Sequence, residues 1–569
     1  MSPATFLILR RMRPPLLFLI GTYAAAVGGL VLMPGPVIDG VPQRMSFFHA
    51  FYVISYTATT IGFGEVPHPF SDAQRMWTTL SIYMTVVAWL YGIGTIIGLL
   101  QDPAYRQARI AQHFARDVRR LRERFYLICG FGDTGSLLAR ALTDRGKRAV
   151  AIDIDPQRIN VLAVQDYASY VPGLCGDAAV PDHLIAGGLR SPRCTAVVAL
   201  TNDDQANLTI AIAGKLLHPQ MQVISRASTL DAAINMASFD TDHVINPFQS
   251  FADHLALALR SPGVWLLHEW LTGVPNTTLT EPRYPPHGTW IVCGYGRFGK
   301  AIVHQLRREG VNVVIVEADP ARTGCEACVR GRGTEEDTLA AAGVFTAVGI
   351  VAGTDNDANN LSIVMTAKAM SPELFVVIRQ NRHANDALFQ AAGGDLVMHV
   401  SEILVHEIIA LITAPSLARF LAGTRRQSKA WSNELVSRIS AVTEDLVPEI
   451  WEIRVGDRRA RAVTKALAAG RPIAVGDLLK NPHDRTETLP CIALMLSRGD
   501  HAELLPSEVA RVEAGDHLLF CGKPAAASAM EWTLQNDKVL HYLLTGREMP
   551  ETWIWQWIDR RLARRAGGN

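Results

Sequence analysis

Tyr126-Leu127-Ile128-Cys129-Gly130-Phe131-Gly132-Asp133-Thr134-Gly135 reads as a buried strand, a tight glycine turn and the first turn of a helix. Gly130, Gly132 and Gly135 stand in the spacing G-x-G-x-x-G. Glycine there lets backbone N–H groups come close to a phosphate, and the helix N-terminus that follows favours negative charge. The helix runs on through Ser136 to Thr143. A second apolar run, Ala149 to Ile152, then ends at Asp153, 18 residues after Gly135. A carboxylate at that point suits a ribose diol. G-x-G-x-x-G alone is a weak signal, but strand, helix and acid together make a dinucleotide-type βαβ unit, with Gly130, Gly132, Asp133, Thr134, Gly135 and Asp153 at its mouth.

The unit recurs 164 residues later. Trp290-Ile291-Val292-Cys293-Gly294-Tyr295-Gly296-Arg297-Phe298-Gly299 is followed by Val313 to Val316 and by Glu317. Thr201 to Asn207 echoes Thr354 to Asn360, Arg226 echoes Arg379, and paired helices follow at Pro247 to Trp270 and Val400 to Leu421. Duplication of a whole α/β domain is the simplest account. By analogy Gly294, Gly296, Arg297, Phe298, Gly299 and Glu317 form a second nucleotide-binding mouth.

Toward the N-terminus lies Asp102 to Arg124, helix-permissive and rich in arginine, and before it a hairpin of two uncharged segments, Pro15 to Met33 and Met76 to Leu100. Each is long enough to cross about 30 Å of hydrocarbon. Arg10, Arg11 and Arg13 precede the first and seven arginines follow the second, while the loop between holds only Arg44 and Arg75. The positive-inside rule therefore puts both ends of the hairpin in the cytoplasm. A cleaved signal peptide is the alternative for the first segment; the second span and the arginines after it fit a retained hairpin better. All eight cysteines follow the second segment, on the reducing side, so no disulfide framework is expected. Cys325 and Cys328 form a lone C-x-x-C without a second pair, and no metal site is expected outside the membrane part. The net charge of +1 offers no general field for nucleic acid.

Between the spans, Ser46 to Ala58 reads as a short helix with Ser46 as N-cap. Next comes Thr57-Ala58-Thr59-Thr60-Ile61-Gly62-Phe63-Gly64-Glu65, which resembles the potassium-channel signature T-x-T-T-V-G-Y-G-D. Half a helix followed by irregular backbone is tolerated at membrane depth only where it is buried in protein or lines water. The resemblance is to channels with two transmembrane helices and one pore loop. It implies four chains around one axis, with the carbonyls of Thr60, Ile61, Gly62 and Phe63 and the Thr60 hydroxyl as potassium ligands, and Gly64 completing the filter. Phe63 stands where tyrosine is usual, Glu65 where aspartate is usual, and Val53 where many relatives carry an aromatic residue. These departures put filter rigidity, and with it strictness of selectivity, in question. In the second span Gly92 and Gly94 serve either as a gating hinge or as close packing points.

The two α/β copies resemble RCK domains, the cytoplasmic regulators of potassium conductance. The first matches more of that pattern, with Gly176-Asp177-Ala178, Asn202-Asp203-Asp204 and Asp242 to Pro247. Asp177 joins the candidate site there. The second carries Gly331-Arg332-Gly333-Thr334, where arginine suits phosphate. From about Pro448, Ile450 to Val455, Ile473 to Val475, Cys491 to Leu496 and Val512 to Gly522 resemble the strands and turns of the small C-terminal RCK lobe. A basic amphipathic helix is expected from Trp553 to Arg565.

The expected order is thus a pore domain over 1–101 (helix 15–33, pore helix 46–58, filter 59–65, helix 76–100), a linker over 102–124, a first RCK domain over 125–288, a second over 289–423, and a C-terminal lobe with the basic helix over 424–569. The fold class is an α-helical membrane pore fused to Rossmann-like α/β domains with a small α+β lobe. The resemblance implies a homotetramer in the lipid bilayer of the inner (plasma) membrane, with eight RCK domains in a gating ring. Asp153 favours a free ribose diol, hence NAD(H), ADP or ATP, over NADP; the family also admits calcium, for which no ligand loop is evident. A vestigial scaffold is the alternative for each α/β copy. For the whole chain the alternatives are a sodium-permeant or non-selective channel and a non-conducting nucleotide sensor that regulates a potassium transporter. An enzyme is not expected, for no hydride-transfer constellation accompanies the glycine motifs.

Overall fold

The computed structural model describes residues 3–38, 41–273, 277–278 and 284–547. The expected helix from Trp553 to Arg565 lies outside them. The chain divides into two compact units, Met1–Leu121 and Arg122–Asn569.

In the first unit, helix α1 (Pro3–Leu32) is followed by α2 (Phe47–Ala58), α3 (Asp72–Gln101) and α4 (Pro103–Arg120). Two of them, over Ile8–Leu32 and Asp72–Gln101, are long and apolar enough to cross a membrane. Both begin before the expected 15 and 76: Pro14 and Pro15 lie inside α1 rather than opening it, and Ser71 starts α3 through a capping box with Gln74. Gly29 lets α1 meet α3, since a Cβ there would fall 2.0 Å from the Trp77 ring. The indole Nε1 of Trp77 donates to Ala26 O at 2.9 Å. Ala50, Val53 and Ile54 of α2 pack with Ala26, Val27 and Leu30 of α1. Much of the remaining apolar surface, including Leu17, Ile20, Val87 and Leu90, is exposed on the single chain.

Helix α3 passes through Gly92 and Gly94 without a break, and a Cβ at either would meet nothing within 4 Å. The helix ends instead at Asp102, which is extended (φ −63°, ψ 122°) ahead of Pro103. Proline bars its predecessor from helical geometry and cannot supply a helical N–H, which explains the break.

The second unit holds two six-stranded parallel sheets. The first consists of β1 (Phe125–Cys129), β2 (Arg148–Asp153), β3 (Gly173–Cys175), β4 (Cys194–Ala199), β5 (Gln222–Arg226) and β6 (His243–Ile245), in the order β3-β2-β1-β4-β5-β6. The second repeats that order with β7 (Thr289–Cys293), β8 (Asn312–Glu317), β9 (Val329–Arg330), β10 (Gly349–Ala352), β11 (Phe375–Gln380) and β12 (Leu396–His399). This is the doubly wound order, whose ligand crevice lies beyond the strand ends at the point where the winding reverses. Helices α5 (Asp133–Asp144) and α8 (Arg297–Arg308) follow the glycine turns of the two copies.

The helices that follow each sheet are exchanged. After β6 come α6 (Pro247–Arg260) and α7 (Pro262–Thr272); after β12 come α10 (Val400–Thr413) and α11 (Pro415–Thr424), with the short helix α9 (Asp386–Ala392) between β11 and β12. Phe248, Ala252, Leu255 and Leu259 of α6 enter the core of the second copy, beside Trp290, Phe298 and Ile302. Leu404, Val405 and Ile408 of α10 enter the core of the first copy, beside Ile128 and Leu138. Each copy therefore completes its core with the other's helix. Helices α10 and α11, bent by 110°, also pass as a span on length and composition, but Leu404, Ile408 and Phe420 lie wholly inside this unit.

The C-terminal lobe is a four-stranded antiparallel sheet of β13 (Glu449–Arg454), β14 (Cys491–Arg498), β15 (His501–Leu504) and β16 (His517–Gly522), in the order β13-β16-β14-β15. The strand expected at Ile473 to Val475 is absent. Ala474 makes one isolated bridge to Arg511, and Val475–Leu478 is a short helix whose Asp477 carboxylate accepts the Ala474 N–H at 3.0 Å. An acid three residues on captured the backbone donor and turned the chain.

Candidate functional site

Two places gather the residues singled out in the sequence. The first is the loop after α2. Thr60 (φ 63°), Gly62 (φ 65°) and Gly64 (φ 93°) are left-handed, whereas Ile61 and Phe63 between them are not. Alternation of the two hands turns successive carbonyls toward one side, which an ordinary strand does not do. Glycine allows this freely at 62 and 64; at Thr60 it costs about 1–3 kcal/mol, which the surroundings must supply.

Those surroundings are aromatic and ionic. The Tyr56 hydroxyl, on α2, donates to Gly64 O. The Phe63 ring lies parallel to Tyr52 (centroids 6.3 Å apart, planes at 7°) and edge-on to Tyr56 (5.5 Å). Glu65 accepts from Arg75 Nε at 2.8 Å and from Phe70 N at 2.7 Å. Tyr56 thus restores from the helix a hydroxyl that Phe63 cannot provide. Its spacing of four from Tyr52 was the available sequence signal, while the reach of Arg75 to Glu65 had none.

The second place is a cavity of about 780 Å³ over the mouth of the first α/β copy. Gly130, Gly132, Asp133, Thr134, Asp153 and Asp177 all line it. Gly135 does not, but it shapes the turn: a Cβ there would lie 2.2 Å from Gly130 O. Asp153 is 3% exposed and holds the turn, accepting from Phe131 N at 2.5 Å and Asp155 N at 2.8 Å, with Arg158 Nη1 at 3.2 Å. Asp177 Oδ1 accepts from Ala179 N at 2.8 Å.

The second copy builds the same turn. A Cβ on Gly299 would lie 1.9 Å from Gly294 O, and Glu317 accepts from Tyr295 N at 2.6 Å and Asp319 N at 2.9 Å. Two residues expected at that mouth are placed otherwise. The Phe298 ring is fully buried against Phe248 and Phe251, so only its backbone is left for a ligand. Arg297 lines the cavity of the first copy, 5.6 Å above the Phe248 ring. Helix exchange explains both: α6 brings Phe248 across, and the start of α8 meets it.

Sequence reasoning paired Arg226 with Arg379 as repeat markers and missed that both line this one cavity. Asn207 and Asn360, both buried, hold them there: Asn207 Nδ2 donates to Arg226 O at 3.1 Å, and Asn360 Nδ2 to Arg379 O at 2.7 Å. The guanidinium of Arg379 sits 5.0 Å from the Phe248 centroid and 5.8 Å from that of Phe298. Burial, with the charges of Arg297 and Arg226, pulls its pKa down to about 10, against the opposing pull of Asp355 and Asp357. Burial and the Arg297 charge likewise lower that of Arg226. The Nε atoms of both are buried without a hydrogen-bond partner. Crowded cations with unused donors in a polar cavity have the chemistry that suits a multiply charged anion.

Comparison with known proteins identifies the building block. Residues 126–247 and 290–400 match the TrkA-N domain, so the chain carries two TrkA-N domains in tandem. Potassium channel protein 1 of Methanocaldococcus jannaschii is 25% identical over 139 residues, 23% of this chain and 42% of that one. The voltage-gated potassium channel Kch of Escherichia coli is 22% identical over 222 residues, 38% of this chain and 51% of that one. The chain thus spans about half the length, or less, of these relatives, which are channel proteins by name. Among solved structures, the GsuK channel aligns with a TM-score of 0.46 at 16% identity, covering 92% of this chain and 99% of that one.

Proposed function

We propose that the chain is one subunit of a homotetrameric potassium channel opened or closed by a nucleotide. The observation that carries the reading is the alternating handedness of Thr60, Gly62 and Gly64, set in a loop between two apolar helices. One such loop supplies one quarter of a carbonyl ring; four copies around an axis complete it. Potassium channels among the sequence relatives support this assignment. The Thr60, Ile61, Gly62 and Phe63 carbonyls are the ion ligands, and both chain ends face the cytoplasm of the inner membrane.

The nucleotide occupies the cavity of the first copy. Its volume falls in the range of small-molecule sites, roughly 300–1,000 Å³. Asp153 takes the ribose hydroxyls with its unused lone pairs. The phosphates turn to Arg226, Arg297 and Arg379, because Asp133 stands at the N-terminus of α5, where a pyrophosphate would otherwise rest. NAD(H), ADP and ATP all meet these terms.

The test is ion flux. Purified protein in vesicles should pass potassium, with a reversal potential that follows the potassium gradient, and NAD, ADP or ATP should change the rate. A reversal potential that follows sodium equally well would make it a cation channel without potassium selectivity. Vesicles that stay silent with every nucleotide would overturn the channel reading in favour of a sensor acting on a partner transporter.

A further inference from the structure

The sequence reading leaves His383, Asp386 and His399 without a role. The structure brings them together at the C-terminal edge of the second sheet, between β11 and β12, with one donor atom of each within 4.8 Å of the others. In a tetrahedral zinc site with bonds near 2.0–2.1 Å the donors stand about 3.4 Å apart, so modest rotation of the exposed His383 and the half-buried Asp386 and His399 would close the set.

Three features set this group apart from a chance surface cluster. Its backbone is fixed: Asp357 accepts from Asn381 N at 2.7 Å, Arg382 N at 3.1 Å and Asn385 Nδ2 at 2.7 Å, tying down the turn that carries His383. Asp386 is oriented on both sides, by His383 Nδ1 at 2.9 Å and by Gln380 Nε2, while Gln380 is itself 2% exposed and anchored to Arg382 O at 2.8 Å. Last, His399 occupies the N-cap of α10 and makes no capping hydrogen bond there, whereas Asn246 at the same point of the first copy caps α6 through Phe248 N at 3.1 Å and Gln249 N at 3.2 Å. Histidine has displaced a good cap at a cost of about 1 kcal/mol. The first copy carries Leu230, Ala233 and Asn246 where the second has His383, Asp386 and His399, so the donor set belongs to the second copy alone.

We propose that His383, Asp386 and His399 bind one divalent transition-metal ion, of which zinc is the type. Two imidazoles and one carboxylate leave a fourth position for water. Calcium, which takes six to eight oxygens, finds a single carboxylate here and is refused. Gln380 is a positioning residue for Asp386. Arg379 and Asn381, on either side of Gln380, and Val400 and Ser401, which follow His399, line the large cavity, so the metal would stiffen one wall of it.

Calorimetric titration of the chelator-stripped full chain tests this. Zinc should bind at one per chain, and calcium should not compete for it. His383→Ala and His399→Asn should each weaken zinc at least tenfold; the second restores the residue of the first copy and a good cap, so the fold is kept. Gln380→Ala should weaken zinc about 10–100-fold. Unchanged zinc affinity in the double His383→Ala, His399→Asn variant, with an unaltered melting profile, would overturn the proposal. So would displacement of the zinc by calcium, or no zinc bound at all.

Discussion

Replacing Arg379 with methionine should raise the stability of the ligand-free protein and lower its affinity for nucleotide. The two effects have one cause. The Arg379 pKa falls from the ordinary arginine range to about 10 because burial and neighbouring arginines disfavour its charge. Each unit is worth about 1.4 kcal/mol. A base whose pKa is lower in the folded state is penalised wherever it is protonated in both states, which here means everywhere below about pH 10, so about 3 kcal/mol opposes folding at neutral pH. Methionine removes that penalty and keeps most of the stem against Phe248 and Phe298. It also forfeits the cation–π contacts, worth about 0.5–2 kcal/mol. The net is a gain of roughly 1–2 kcal/mol. Nucleotide affinity should fall by the worth of a charge-assisted hydrogen bond, about 1.5–3 kcal/mol, or roughly 10–150-fold. Thermal melting without nucleotide and calorimetric titration with it, on the same full-length sample, read the two numbers. A variant that melts earlier and binds nucleotide as before would refute the reasoning and make Arg379 a structural residue.

Tyr56→Phe deletes the bond to Gly64 O while keeping the ring contacts with Phe63; potassium-over-sodium selectivity in reversal-potential measurements should drop, with the tetramer intact on sizing. Asp153→Ala should weaken nucleotide binding at least tenfold by titration, and Glu317→Ala should change it little, since Asp153 lines the shared cavity and Glu317 does not. Acid should loosen the second unit through His254 and His268, whose Nε2 atoms meet at 2.9 Å beside the cavity lined by Glu269, Glu402, His406 and Glu407. Burial, with the Arg425 charge, lowers the His254 pKa from 6.5 to about 4, so its stabilisation is complete above pH 6.5 and is lost as pH falls toward 4, a swing of about 3 kcal/mol. Glu407 works in reverse, raised by burial from 4.5 to about 6, so that His254→Asn should flatten the acid limb of a melting-versus-pH curve and Glu407→Gln should steepen it.

The sequence disclosed whatever depends on local spacing. Gly130 to Asp153 predicted a strand, turn, helix and strand because the close approach of Gly135 to Gly130 O and the reach of Asp153 to Phe131 N are settled within one βαβ unit. Ser46 was legible as a cap for the same reason. The exchange of α6 and α10 was not, because each helix would bury an equal apolar face on either copy, and no periodicity says which. With that choice hidden, Arg297 was assigned to its own glycine turn although it lines the other copy's cavity. Pro103 compels a break at Asp102, whereas α3 runs unbroken through Gly92 and Gly94. His383 and His399 stand 16 residues apart and meet only because β11 and β12 are neighbours.

The exchange also supplies a physical reason for two copies. The first cavity is lined by Asp153 of one copy and by Arg297 and Arg379 of the other, so the affinity of the proposed nucleotide would depend on how the copies are set against each other. Ligands move equilibria only through such differences. Shifting a pore from 1:99 to 99:1 requires about 5.5 kcal/mol of differential binding. Spread over the four cavities of the proposed tetramer, that is about 1.4 kcal/mol each, no more than the lower end of one arginine–phosphate contact made in one state and broken in the other. On the proposed reading, one such contact at Arg379 would be strong enough to gate. A chain that bound its nucleotide wholly within one copy would have no such lever, however tightly it bound.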